Sequence, residues 1–142
     1  MAYFQQDILI NVAASLAWDA LRDVGNLHTR LVQGFVVDCQ FDGQTRHLKF
    51  ANGVTASERI VAVHEQDKRV SWAAISERLT HHNASAQVVA TGPDSCKVVW
   101  TVDLLPDSME PAIAAMVSAG LQAMKATLQS SSAALYLSND RS

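Results

Sequence analysis

Between Gln6 and Val12 the chain alternates, with Ile8, Ile10 and Val12 set against Asp7, Leu9 and Asn11, a pattern that predicts a first strand. The period then lengthens. Leu16, Trp18, Ala20 and Leu21 supply the apolar side of a short helix, with Ser15 as its N-cap and Gly25-Asn26 marking its end. A second short helical turn is expected over Asn26 to Val32. Six further strands follow in close order. Gly34 to Phe41 sets Phe35, Val37, Cys39 and Phe41 against Val36, Asp38 and Gln40. Thr45 to Ala51 and Val54 to His64 are joined across Asn52-Gly53. Arg69 to Ile75, His82 to Thr91 and Cys96 to Leu104 complete the series, the last after Gly92-Pro93-Asp94. Short strands punctuated by turns predict an antiparallel meander.

After Pro106 the apolar positions change to a helical spacing. Met109, Ile113, Met116, Val117, Gly120, Leu121, Met124 and Leu128 form one stripe, on a helix expected from Ser108 to Tyr136. Such a helix would be roughly 40 Å long at 1.5 Å per residue. The fold class is therefore α+β, a sheet of about six or seven strands curled around one long C-terminal helix, with two short helices after strand 1. A concave sheet with a single long helix leaves room for an apolar cavity. No repeat or linker interrupts the pattern, so one domain is expected over residues 1–137, with a frayed tail over 138–142.

The Asn-Gly pair fixes which face of the second hairpin points inward. A three-residue loop, 51–53, places Phe50 opposite Val54, Leu48 opposite Ala56 and Arg46 opposite Glu58. That register leaves no apolar–polar mismatch, whereas a two-residue loop would set His47 against Glu58. It also carries Arg46 and Glu58 to the concave side. A charged pair there costs desolvation, which invites either a functional role or a place at the wetted rim.

Composition narrows the function classes. Apolar residues make up 49% of the 142 and charged residues 18%, with a net charge of −3 and no basic run. Binding nucleic acid needs concentrated positive charge, so no nucleic-acid partner is expected. No apolar run approaches the roughly 20 residues of a membrane span, and no integral membrane association is expected. The start, Met1-Ala2-Tyr3-Phe4-Gln5-Gln6-Asp7, lacks the features of a signal peptide. Cys39 and Cys96 read as buried free thiols, and a cytoplasmic location is the simplest inference.

The segments in this order resemble the START-like (SRPBCC) superfamily, specifically its polyketide cyclase/dehydrase and lipid-transport family. Ile8 to Val12, then Ala17 to Asp23, then Asp23-Val24-Gly25-Asn26-Leu27 are similar to that family's opening strand, first helix and "D-x-G-N-L" turn. Arg46 with Asn52-Gly53, Glu58-Arg59-Ile60 with Asp67, and Gly120-Leu121-Gln122-Ala123-Met124-Lys125 resemble its later motifs. The resemblance spans nearly the whole chain and implies the helix-grip fold with a hydrophobic cavity, the architecture of birch-pollen-type allergens and abscisic-acid receptors. Glu77-Arg78-Leu79 is similar to the receptors' latch, but Glu77 stands where the latch has His and the receptors' gate loop is missing. A hormone-gated switch is not implied.

Chemical signatures are sparse. His81 and His82 are adjacent and face opposite sides of a strand, while His28, His47 and His64 are isolated, so no metal site or cofactor is expected. No nucleophile motif or phosphate loop occurs. The residues expected to line the cavity are Arg46, Leu48, Phe50, Glu58, Trp72 and Ala86, with Trp100, Met116, Gly120 and Met124 closing it. Ala74, Ala84, Ala86 and Ala90 would leave space opposite the two tryptophans. Trp18 is expected in the core.

Three functions compete. The first is a carrier or sensor of a polyketide, sterol or lipid-like molecule. The second is a cyclase or dehydratase with Glu58 as base, Arg46 stabilising an enolate and His28 assisting. The third is an interaction module whose groove holds a partner helix or a second copy, in which case a homodimer is expected. A cavity containing Arg46 and Glu58 favours the first two; a collapsed core with an exposed apolar patch favours the third.

Overall fold

Strand β1 (Ala2–Ile10) is followed by helices α1 (Ala14–Leu21) and α2 (Leu27–Arg30). Six strands come next: β2 (Val36–Phe41), β3 (Thr45–Phe50), β4 (Thr55–His64), β5 (Arg69–Ile75), β6 (His81–Gly92) and β7 (Ser95–Leu105). A 3-10 turn, Asp107–Met109, leads into helix α3 (Glu110–Asp140). The computed structural model describes residues 1–140, with side chains for 1–131, so the tail expected over 138–142 ends outside the described residues.

The strands make one antiparallel sheet in the order β1-β7-β6-β5-β4-β3-β2. Each strand from β2 to β7 neighbours the next in sequence, and β1 closes on β7. The first strand starts four residues earlier than its apolar alternation suggested. Phe4, Gln6 and Ile8 share its inner face, and inward Gln6 breaks the apolar pattern because its amide donates to the Ala114 carbonyl of α3 at 3.0 Å. A buried polar group is tolerated where it finds such a partner.

Register shifts interrupt the ladders at Val36/Asp38, Ile60/Ala62 and Ala90/Gly92. An extra residue on one strand bends and twists it, which helps a sheet to curl. The first of these also overturns the alternation expected for β2. Val36 is buried, Cys39 stays inward, and Val37 and Phe41 are exposed. The 3-4 hairpin holds the three-residue register, with Leu48 opposite Ala56 and Arg46 opposite Glu58. Phe50 N–H donates to Val54 at 2.8 Å, and Gly53, at φ +88°, takes the left-handed turn position that glycine occupies without strain.

Helix α1 begins one residue before Ser15. Ala13 is its N-cap, extended at φ −60° and ψ 144°, and no side chain caps it. Trp18 is buried as expected, and its indole N–H donates to Glu65 at 2.7 Å while Arg22 donates to the same carboxylate at 2.8 Å. These bonds fasten α1 to the end of β4. On α2, Arg30 reaches Asp23 at 2.9 Å and Asp19 at 2.5 Å, which fixes the second short helix against the first.

Along α3 the buried positions are Val117, Gly120, Leu121, Met124 and Leu128, the later part of the stripe that its spacing predicted, whereas Ile113 is half-buried and Met116 exposed. Thr127 is buried with them. Its hydroxyl donates to Ala123 and accepts the Gln33 N–H at 3.0 Å, tying the helix to the segment before β2. The core is continuous, from Ile10, Val98 and Leu104 on the sheet to Leu121 and Leu128 on the helix.

Candidate functional site

The inner face of β3 to β7 is built by alternation, and antiparallel pairing aligns it into rows that cross the strands. One row runs Arg46, Glu58 and Ala74, with the His82–Leu104 pair beyond the end of the β5–β6 ladder; the next runs Ile60, Trp72, Ala84 and Val102. Together with α2 and the first half of α3 these rows bound a space of about 900 Å³. That volume also takes in a groove beside outward-facing His47 and Lys49, so the inner chamber is smaller than the whole. Ile75, Val54 and Met116, all well exposed, stand at the opening, with Glu77 and Arg78 of the β5–β6 loop beside them.

Arg46 and Glu58 lie in the chamber wall. Arg46 is 5% exposed, its Nε donates to Glu58 Oε1 at 2.8 Å, and its Nη1 lies 3.4 Å from the Val24 carbonyl. The guanidinium carbon sits 5.2 Å from the centre of the Trp72 ring. A stacked, paired guanidinium is a well-compensated buried cation. Trp72 in turn meets Trp100 edge to face, with centroids 5.5 Å apart, and Phe35 meets Phe50 likewise at 5.3 Å.

Leu48, Phe50, Ala86, Met116 and Met124 also line the space, as do Trp72 and Trp100. Met116 does so from the mouth, since it is 38% exposed. Two candidates lie elsewhere. Gly120 faces Trp100 rather than open volume, for a Cβ there would come within 3.0 Å of the indole ring and 3.4 Å of Phe35. A stripe identifies the buried side of a helix but not which buried position borders a void. His28 is not in the wall; it sits on α2 with Nδ1 buried and no hydrogen-bond partner among the described residues. Of the four alanines, Ala74 and Ala86 border the space, Ala84 is buried between Trp72 and Val102, and Ala90 is exposed at the β6 bulge.

The remaining histidines separate by face. His47 contacts Ser57 at 2.8 Å and His81 contacts Asp103 at 2.6 Å, both on the outer side. His82, one residue on, points into the chamber. Its Nδ1 accepts the Ala74 N–H at 3.0 Å, and burial pushes its pKa below the ordinary value, against the opposing pull of Glu58. From sequence His81 and His82 were set on opposite faces and weighed only as metal ligands, and neither was assigned to the wall. Arg78 and Leu79 of the loop, and Ile113 and Val117 of α3, are further wall residues that the sequence did not single out as such.

Among the described residues no group of three His, Cys, Asp or Glu side chains could hold a metal ion. Cys39 and Cys96 are both buried and unbridged, and burial raises both thiol pKa values. No described helix is long and apolar enough to cross a membrane.

Residues 1–129 match the family model for polyketide cyclase / dehydrase and lipid transport. No curated protein matches the sequence. Among solved structures, an uncharacterized protein from Bacillus thuringiensis superposes with a TM-score of 0.80 at 17% identity, over 90% of this chain and 99% of that one. Norcoclaurine synthase from Thalictrum flavum superposes at 0.70 with 16% identity, over 87% and 91% of the two chains. A START superfamily protein from Mycobacterium smegmatis gives 0.71 at 11% identity, over 90% and 97%. At such identities these likenesses speak to the fold, which is the helix grip of the START-like superfamily. The family match over nine-tenths of the sequence says more: the chain belongs to the polyketide cyclase/dehydrase and lipid-transport family.

Proposed function

We propose that the protein binds an apolar small molecule, of polyketide, sterol or lipid-like character, in the chamber between sheet and α3, as a carrier or sensor. The observation that carries this reading is the chamber itself: a wall of aromatic, aliphatic and methionine side chains with a few convergent polar groups. Methionines 109, 116 and 124 give its helical side a surface that adapts to ligand shape. An interaction module would need a filled groove with apolar surface turned outward, and the space beneath α3 favours the small-molecule role. Buried, unbridged Cys39 and Cys96 support a reducing compartment such as the cytoplasm.

Native mass spectrometry of protein taken from its own host, followed by extraction, tests the proposal. A recovered apolar compound that raises the melting temperature on re-addition is the expected result. Empty protein under several growth conditions, with no thermal shift across sterol, lipid and aromatic-polyketide panels, would overturn it.

A cyclase or dehydratase reading is favoured by one observation, the carboxylate of Glu58 in a mostly apolar wall. Glu58 would act as base there, and Arg46, paired with it at 2.8 Å, would have to turn from that pair to stabilise an enolate. His28 does not line the space and is left out of this reading. Turnover of a poly-β-keto thioester mimic that Glu58→Gln abolishes would support catalysis, and turnover unaffected by that change would exclude Glu58 as the base.

A further inference from the structure

We infer that Glu58 and His82 form a two-point clamp for a neutral hydroxyl group on the chamber's ligand, an assignment that rests on the small-molecule reading above. The two residues flank Ala74: Glu58 pairs with Ala74 across β4 and β5, and the His82 ring meets Ala74 from β6 through its Nδ1. Ala74 contributes only a methyl group between them, which leaves a gap edged by two polar side chains.

The chemistry of each edge follows from its partners. Beyond Trp72–Ala84 the β5–β6 ladder stops, and the Ala74 N–H donates to His82 Nδ1 at 3.0 Å instead of to a β6 carbonyl. An Nδ1 that accepts from a backbone N–H must carry a lone pair, so the ring's proton is on Nε2. Nε2–H has no protein acceptor among the described residues and is free to donate. On the other edge, Arg46 takes Glu58 Oε1, and Oε2 has no hydrogen-bond partner among the described residues. The gap therefore offers one acceptor and one donor. An enolic, phenolic or alcoholic hydroxyl satisfies both, giving its proton to Glu58 and receiving the imidazole N–H.

The same arrangement discriminates against anions. Arg46 already offsets the Glu58 charge through its Nε and stacks on Trp72, so a ligand carboxylate would add a second negative charge to a wall with one buried cation. An ether or a bare hydrocarbon would leave one or both edges unpaired, which is costly in a partly dry site.

Calorimetric titration of the whole protein with naphthalene, 2-naphthol, 2-methoxynaphthalene and 2-naphthoate reads the clamp directly. The expected order puts 2-naphthol first, about tenfold or more ahead of the methyl ether and the carboxylate. In His82→Asn the amide oxygen can keep the Ala74 bond while the Nε2 donor is lost. That variant should bind 2-naphthol roughly tenfold more weakly and naphthalene unchanged, whereas His82→Gln, which keeps a donor at the Nε2 position, should retain most of the preference. Equal affinity for the naphthol and its ether, or tighter binding of the carboxylate, would overturn the clamp while leaving the small-molecule chamber standing. Absence of binding by all four probes would overturn the clamp, and the chamber reading would fall with it only if the sterol, lipid and polyketide panel also gave no shift.

Discussion

Burying Arg46 against Glu58 removes two charges from water, and the wall repays that cost with a 2.8 Å ion pair and a stacked indole. The pair is therefore fragile to removal of one member but not to removal of both. Arg46→Met leaves a carboxylate in an apolar wall and should lower unfolding stability by about 3 kcal/mol in urea titrations. Arg46→Met/Glu58→Leu together should recover most of that loss, because neither charge is then left unpaired. A double variant as unstable as the sum of its parts would mean that the pair is not coupled. His82 gives a second prediction. Its pKa is depressed by burial, so the unfolded chain takes up its proton first as pH falls. Stability is full above the ordinary histidine value of 6.5 and should decline as pH drops through it towards the lower folded value. His82→Asn should flatten the melting temperature between pH 7 and pH 5; an unchanged slope would assign it to another group.

At the scale of elements, α1 starts without a side-chain cap. Ala13 already has the extended backbone of an N-cap, so Ala13→Ser should stabilise the protein by about 1 kcal/mol, read as a raised urea midpoint. Ser15 attracted the cap assignment because it is the nearest hydroxyl to the apolar run, yet the cap lies two residues earlier, with Leu16 N–H and Ala17 N–H both bonding the Ala13 carbonyl. The long-range register was better marked than this local boundary. Asn52-Gly53 together with cross-strand matching set Arg46 opposite Glu58, since any slip would have mismatched every pair along the hairpin. The β2 alternation was not readable, because a bulge has no side-chain signature in Val36-Val37-Asp38.

For the molecule as a whole, seven strands and one long helix were legible from two periodicities, and the chamber from the poverty of elements available to fill them. Which inward residues border open space was less legible. Gly120 and Met124 share a stripe, but one lies against Trp100 and the other against the void, a difference decided by contacts between elements distant in sequence. His28 shows the same limit, since a position following the first helix did not specify which way α2 would turn it. The central claim is that the space beneath α3 receives an apolar ligand, and the methionines offer its most direct test. Met109, Met116 and Met124 border that space, while Met1 is exposed at the chain's start. In a titration with 2-naphthol followed by NMR of 13C-methyl-labelled methionine, the signals of Met109, Met116 and Met124 should shift together and saturate at one affinity while Met1 stays in place. Saturating binding that leaves those three methyl signals unmoved would contradict the account.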